Sequence, residues 1–472
     1  MSVTLSAFGS VFLPLCALVF LFKRLWILPL VCVAAVLQAP AVANIRFAGL
    51  DLGITPYLTV GMLVTIDLLL RGPAFLRQAG RSTLSEWPTR LWLVFLGMTA
   101  LGGLLLPFLF AGATVLAPLT QQDGQLVVEP LVFSINHLAQ IGQALLLGIL
   151  LVWISAFRDD PELPKRMFVG VALAVAVATV VGLQQRLAWN GLVPLAADFW
   201  ASNLGYAQNW DSVAGNVPRV SWPFTEPSYA SAFFAAAFGG FLSLFLSDIH
   251  RHKALAGAML CLFAMANTFG ATGLMTTMVF VAGVSLLCAA ALVLRRRWAG
   301  GLLYRGSLAA LAATCVCLAG YLVLRHYALV DAAQHAVVNV LAGRSETVLG
   351  DIRLTADLHS WRLIVETWGL GVGLGSHRGS SYLLTLAATG GLLAVVLLVV
   401  AASVHFYRLA RRAVRRAETP AVFFLGSGVA AAIAALIAIP DQNWPVLWIF
   451  LLGGVASVIA SRQRRHPVAE AP

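Results

Sequence analysis

The chain has 472 residues, of which 60% are hydrophobic and only 11% charged, whereas an ordinary soluble domain carries roughly 25% charged residues. A string of soluble domains is excluded, and the expected fold is all-α: a polytopic integral-membrane helical bundle of about 12–13 transmembrane helices, read as one domain over 1–472. The net charge of +11 does not argue for nucleic acid, because it is distributed as a membrane topology requires.

A helix needs about 20 apolar residues to cross a bilayer. Thirteen stretches qualify as candidates: 3–22, 25–44, 57–70, 91–110, 135–157, 167–187, 228–247, 254–269, 271–294, 306–324, 382–404, 420–439 and 444–461. The third and eighth are short. Residues 3–22 read as a span and not a cleaved leader, since Lys23 and Arg24 follow the apolar run instead of preceding it. All six cysteines (16, 32, 261, 288, 315, 317) lie inside these runs and read as small hydrophobes.

Of the 31 Lys and Arg residues, 23 fall in loops that alternate to one side, from Lys23 and Arg24 to Arg462, Arg464 and Arg465. That side is expected to be cytoplasmic, which leaves the N-terminus outside and the C-terminal tail inside. The other eight basic residues break the pattern. Arg186 and Arg219 flank or enter one large external loop, 188–227; Arg325, Arg344, Arg353, Arg362 and Arg378 belong to a second, 326–381; Arg46 stands alone. Cations gathered against the positive-inside bias call for an anionic partner or internal salt bridges.

The first loop ends in Arg219-Val-Ser-Trp-Pro-Phe-Thr-Glu-Pro-Ser-Tyr. Pro223 and Pro227 exclude a helix before the seventh span and hold Glu226 at its start. Glu226 there is either a helix-start residue with Arg219 as counter-ion or a group that meets a sugar hydroxyl. Trp189, Trp200, Trp210 and Trp222 suit interfacial anchoring better than sugar stacking. Within the third span, Asp67 and Arg71 are spaced as a helical ion pair. His137, alone near the outer start of the fifth span, reads as structural.

The second loop carries an amphipathic helix at 358–368, with Leu358, Trp361, Val365 and Trp368 on one stripe and His359, Arg362 and Glu366 on another. Glycines 369, 371, 373 and 375 follow, then Ser376-His377-Arg378 before a new apolar helix near Tyr382. Backbone N–H groups and cations at that helix start suggest an anion site, with His377 presented on a mobile loop.

Read together, Gly182-Leu-Gln-Gln-Arg186, Arg219 before Trp-Pro-Phe-Thr-Glu-Pro-Ser-Tyr-Ala, Arg362 before Gly369-Leu-Gly-Val-Gly-Leu-Gly-Ser376, Ser381-Tyr-Leu-Leu and Gly390-Gly-Leu-Leu resemble the O-antigen ligase and polymerase superfamily. The likeness spans roughly residues 170–400 and is greatest to its exopolysaccharide-polymerase branch. It implies a glycosyltransferase of the bacterial inner membrane that moves glycans off undecaprenyl pyrophosphate at the outer face, without metal or other cofactor. The reaction would be repeat polymerisation, transfer to a lipid A core, or protein O-glycosylation. Membrane lipids and chain-length-regulating or export proteins would be its partners, and nucleic acid would not. Arg219 and Arg362 match arginines the family uses on the pyrophosphate, and Arg378 adds a third. His377 lies near a histidine proposed as the base, but Arg-Gly-Ser-Ser follows it where the family has an asparagine and an aromatic residue. The base is therefore His377 or Glu226, and Gln185, Ser381, Tyr382 and His359 are secondary candidates. The rival from another class, a lipid-linked glycan flippase, would place its charges in mid-span facing a cavity.

Overall fold

In the computed structural model, which describes residues 2–47, 50–122, 125–205, 208, 210–214, 217–293 and 348–460, the apolar runs fold as helices. The tenth candidate span, Arg325, Arg344, Cys315, Cys317 and the C-terminal tail lie outside the described residues. In chain order the helices are α1 (Ala7–Phe22), α2 (Ile27–Val36), α3 (Pro56–Leu70), α4 (Gly72–Ser85), α5 (Trp87–Leu109), α6 (Ile135–Ala156), α7 (Leu163–Trp189), the short α8 (Ala197–Trp200), α9 (Pro227–Leu246), α10 (Arg251–Thr268), α11 (Ala271–Val293), α12 (Val348–Glu366), α13 (Tyr382–Arg416), α14 (Thr419–Ala438) and α15 (Pro445–Ile459). Among the described residues six of them (α5, α6, α7, α9, α13 and α14) are long and apolar enough to cross a membrane. A seventh span appears if α3 and α4 are one broken segment, bent by 113°. Shorter apolar helices lie at 7–22, 24–36, 271–287 and 445–459. The protein is a multi-pass, predominantly α-helical membrane protein.

Two apolar runs do not stay straight. The second candidate, 25–44, stops as a helix at Val36, because the next residues are taken up elsewhere: the N–H groups of Gln38 and Ala39 both donate to Pro223 O, at 3.0 and 2.9 Å. The third continues through the bend into α4, which carries Arg77 and Arg81 and therefore cannot follow α3 into an apolar interior.

Among the described residues there are three small antiparallel sheets, which the hydropathy pattern did not signal: β1 (Ser2–Leu5), β2 (Ala43–Phe47) and β3 (Leu50–Ile54) in one, β4 (Thr114–Gln122) with β5 (Gln125–Pro130) in the second, and the two-residue β6 (Val213–Ala214) with β7 (Val217–Pro218) in the third. In the first sheet Val3 faces Ile45, and Ile45 faces Leu52. In the second, Leu116 pairs with Val128, and the register then shifts before Gln121.

The core is centred on α9. Its apolar window is 94% buried, against 39–44% for α5, α6, α7 and α13, so it is enclosed by protein while those four turn a side to lipid. Small residues permit that enclosure. A Cβ on Gly239 would lie 2.8 Å from Ala430 Cβ and 3.0 Å from Gly426 O of α14. Gly239→Leu is expected to force α9 and α14 apart. The variant should give little folded protein by size exclusion in detergent, with a thermal midpoint well below the parent's; an unchanged midpoint would show that α9 is not tightly packed there.

At one end of the bundle Asp67, fully buried, accepts from Arg71 Nε (2.9 Å), Trp153 Nε1 (2.9 Å) and Arg24 Nη1 (3.3 Å). The expected Asp67–Arg71 pair is thus present, and its carboxylate is saturated by structural partners. Cys16, Cys32 and Cys261 are buried free thiols, as small hydrophobes should be. The candidate site lies at the other end.

Candidate functional site

The segment entering α9 is held in an irregular path by one side chain. Gln185, fully buried near the end of α7, accepts on Oε1 from the N–H groups of both Ser221 and Trp222, each at 2.9 Å, and donates from Nε2 to Trp210 O (3.1 Å). A backbone broken by Pro223 and Pro227 cannot satisfy those N–H groups itself, and a glutamine has the acceptor and donors needed. Trp222 is buried in this packing, which makes it a core residue and not an interfacial anchor. The chain is thereby delivered to Glu226, the N-cap of α9 with Pro227 as the first helical residue.

Glu226 accepts from Ser228 Oγ at 3.0 Å, and its Oε1 lies 3.9 Å from Arg378 Nη2. Arg219 donates from Nε to Thr268 O at the C-terminal end of α10 (3.4 Å), where the helix dipole is negative. Burial holds the Arg219 guanidinium below the usual arginine range. The Glu226 carboxylate opposes that shift, and the positive charge of Arg353 adds to it. Arg219, Glu226 and Arg378, separated by up to 159 positions (378 − 219), are therefore brought into one electrostatic group with Arg353 beside it. Arg186 is close by: it donates to Asn267 O (3.0 Å) and its guanidinium lies over the rings of Trp189 and Phe269.

A second carboxylate, which sequence reasoning passed over, belongs here. Asp441, in the turn between α14 and α15, senses the charge of Arg378. Burial raises its carboxyl above the usual range, opposed by the Asn443 N–H that it accepts (3.1 Å) and by Arg378. The signal was available: a lone acidic residue in a short turn between two apolar runs, in Pro440-Asp-Gln-Asn-Trp. Tyr382, buried, donates to Gln442 O at 3.2 Å and so ties the start of α13 to that turn. Ser381 is the N-cap residue of α13, and its carbonyl accepts from Thr385 N.

Arg362 does not join the group. It is 75% exposed and paired with Glu366 at 2.7 Å. Nine residues at 100° each turn the α12 surface by half a revolution relative to Arg353, so α12 offers its two arginines on opposite faces. The helix is also longer than expected, 348–366. The expected oily stripe (Leu358, Trp361, Val365, Trp368) is exposed, while Ser360, Leu363, Ile364 and Thr367 form the packed face.

The glycine run is packed against α13 through its own backbone. All four glycines have positive φ (75°, 84°, 102° and 89°), and α13 is broken at Gly391, where φ is 81°. The break sends Leu392 N to Gly369 O (2.8 Å) and leaves the Ala388 carbonyl, its normal helical acceptor, without that partner. Val372 N donates to it instead at 2.9 Å, and Gly373 N donates to Thr389 O at 2.8 Å. A side chain on Gly371 would press on the Thr389 carbonyl and Gly391 N, each about 2.7 Å from its Cβ. Loop and helix are stitched together. Several of the N–H groups expected to meet a ligand are used internally, among them Gly371 N on Thr367 Oγ1, Gly379 N on Thr385 Oγ1 and Ser380 N on Asp357.

His377 follows from the same stitching. It is 3% exposed; Nδ1 accepts from Leu116 N of β4 (3.2 Å), and Nε2 lies 2.7 Å from Ser360 Oγ, which donates to Ala356 O. Those partners require the neutral ring with its proton on Nε2. Burial first, and His359 second, push its pKa down to about 3; the two rings stack at 5.6 Å. His359 is itself lowered, by burial and then by Arg362. The expected mobile loop is therefore a buried anchor. His137 is tied to the same turn, its Nε2 2.8 Å from Ser376 Oγ.

No family model matches this sequence, and no curated protein does either.

Proposed function

We propose that the protein is a glycosyltransferase of the bacterial inner membrane, acting at its outer face on undecaprenyl-pyrophosphate-linked oligosaccharide to polymerise it or transfer it to an acceptor. The observation that carries this reading is the grouping of Arg219, Glu226 and Arg378 at the entrance of the most enclosed helix, at the bundle end opposite most of the basic loops. In this orientation the N-terminus is outside and the C-terminal tail cytoplasmic.

The chemistry assigns each group a task. An acceptor hydroxyl oxygen attacks the anomeric carbon of the donor sugar. The bond from that carbon to the pyrophosphate oxygen breaks, and its electron pair leaves with the pyrophosphate. Arg219 and Arg378, with Arg353 adjacent, offset the charge that develops there, since guanidinium binds phosphate oxygens bidentately and stays protonated. Glu226 takes the hydroxyl proton. His377 is a poor base in this setting, with both ring nitrogens engaged and little affinity for a proton at neutral pH; its task is to fix the turn that presents Arg378.

The test is purified protein in liposomes with a lipid-linked repeat. The expected result is glycan lengthening or transfer with release of undecaprenyl pyrophosphate, slowed roughly a hundredfold or more in Arg219→Lys, since charge placed without the bidentate fork is a poor substitute. Movement of the lipid-linked glycan across the bilayer with no new glycosidic bond would overturn the enzyme in favour of a transporter.

A further inference from the structure

The end of the bundle away from the candidate site holds a second concentration of arginine. Helix α4 turns aside after the bend and packs Ala79, Ser82 and Thr83 inward. Successive residues are 100° apart, so Ala74, Arg77, Gln78, Arg81 and Ser85 share one side of it. Arg158, just past the end of α6, closes that side by donating from Nη1 to Ser85 Oγ at 3.1 Å. Between them is an open recess of about 550 Å³ lined by Arg77, Arg81, Arg158, Gln78, Ser82 and Ser85. Arg158 has Asp159 at 3.6 Å, whereas among the described residues neither Arg77 nor Arg81 has an acidic partner. Two like charges at i and i+4 on a helix repel each other. A fold that places them together, adds a third guanidinium, and lines the space with hydroxyl and amide groups is suited to an anion rich in acceptor oxygens.

The position of the recess narrows the ligand. His137, at the start of α6, touches Ser376 of the candidate site, and Arg158 follows the other end of that 22-residue helix, about 33 Å away at 1.5 Å per residue. That is the thickness of a bilayer's hydrocarbon core. Leu69 and Leu70 at the end of α3, Leu84 in α4 and Trp87 at the start of α5 are exposed and suit the boundary between acyl chains and headgroups.

We propose that Arg77, Arg81 and Arg158 form a binding site for a phosphate-bearing anion on the membrane face opposite the glycan site. The chemistry is shared by an anionic phospholipid headgroup and a soluble phosphate compound. The inference does not depend on the glycosyltransferase reading.

The full-length protein would be tested in two arms. In nanodiscs of mixed phosphatidylglycerol and phosphatidylcholine, co-purifying lipid is counted by mass spectrometry; in detergent without lipid, inorganic pyrophosphate is titrated by calorimetry. Variants are Arg77→Gln with Arg81→Gln and, as a control at the same end, Lys23→Gln with Lys165→Gln. One basic residue near an anionic surface changes binding roughly fivefold, so the double variant should lose about 25-fold while the control loses far less. Phosphatidylglycerol retained selectively by the parent and lost in the arginine variant supports the site with a lipid as ligand. Pyrophosphate binding lost in the same variant, without lipid preference, supports it with a soluble ligand. Neither ligand bound by the parent protein overturns the proposal whether or not the variant folds. Equal losses in the arginine and lysine variants overturn it too, since they would show only diffuse charge attraction.

Discussion

Glu226→Gln is expected to slow glycan transfer by roughly a hundred to ten thousand fold, the range for removing a general base, while leaving a normally folded protein. The substitution keeps the volume and an oxygen acceptor for Ser228 Oγ, and Glu226 is not a helix-capping hydrogen-bond acceptor. It removes the partner of Arg378, but that pair is 3.9 Å apart with side chains 44% and 29% exposed, and such pairs contribute at most about 1 kcal/mol. Asp441 remains to balance Arg378. Rate and stability should therefore separate. A variant that is fully active would remove Glu226 from the chemistry; one that is inactive only because it is unfolded would make Glu226 a scaffold residue.

His377→Ala should do the reverse and fail first in stability. It leaves the buried Leu116 N–H without an acceptor and removes the ring that packs on His359. An orphaned buried donor together with a core cavity destabilises by roughly 2–5 kcal/mol. His377→Asn, whose side-chain oxygen can replace Nδ1 as acceptor, should recover part of that loss. The pH dependence identifies the group. The ring takes a proton near 6.5 in the unfolded chain but only near 3 in the folded protein. The unfolded state thus binds more protons between those values, and the His377 contribution, complete above about pH 6.5, is lost progressively as the pH falls toward 3. Thermal shifts at pH 7.5 and 5.0 should show a larger drop in the parent than in His377→Ala. Equal drops, or a stable variant with its rate abolished, would restore His377 as the base.

The sequence made the membrane class plain, because 60% hydrophobic residues in runs of about 20 admit few other solutions. It also made Arg219 and Glu226 visible, since two prolines isolate them locally. What it concealed depends on distant partners. Glycines 369–375 looked like a ligand loop because their use, covering the carbonyls of Ala388 and Thr389, follows from a helix break at Gly391. A glycine inside an apolar run gives no warning of such a break. His377 looked mobile for the same reason: its acceptor role toward Leu116 spans 261 positions. Arg362 outranked Arg353 through its motif, yet half a helical turn of phase directs the two arginines to different surroundings. The small sheets were missed because Val3 sits in a run whose hydropathy already suited a span, while its partner Ile45 lies in a loop 42 positions away.

The enclosure of α9 has a bearing on how the protein tolerates different membranes. Bilayers vary in thickness by several ångströms, and a lipid-facing helix accommodates the mismatch by tilting or by snorkelling its flanking residues. With 94% of its apolar window covered by neighbouring helices, α9 has almost no lipid boundary on which such a mismatch could act. The depth of Glu226 is then fixed by contacts such as Gly239 against Ala430, and the outer helices take up the elastic adjustment. Acyl-chain length should alter how the periphery leans and leave the height of the candidate site unchanged.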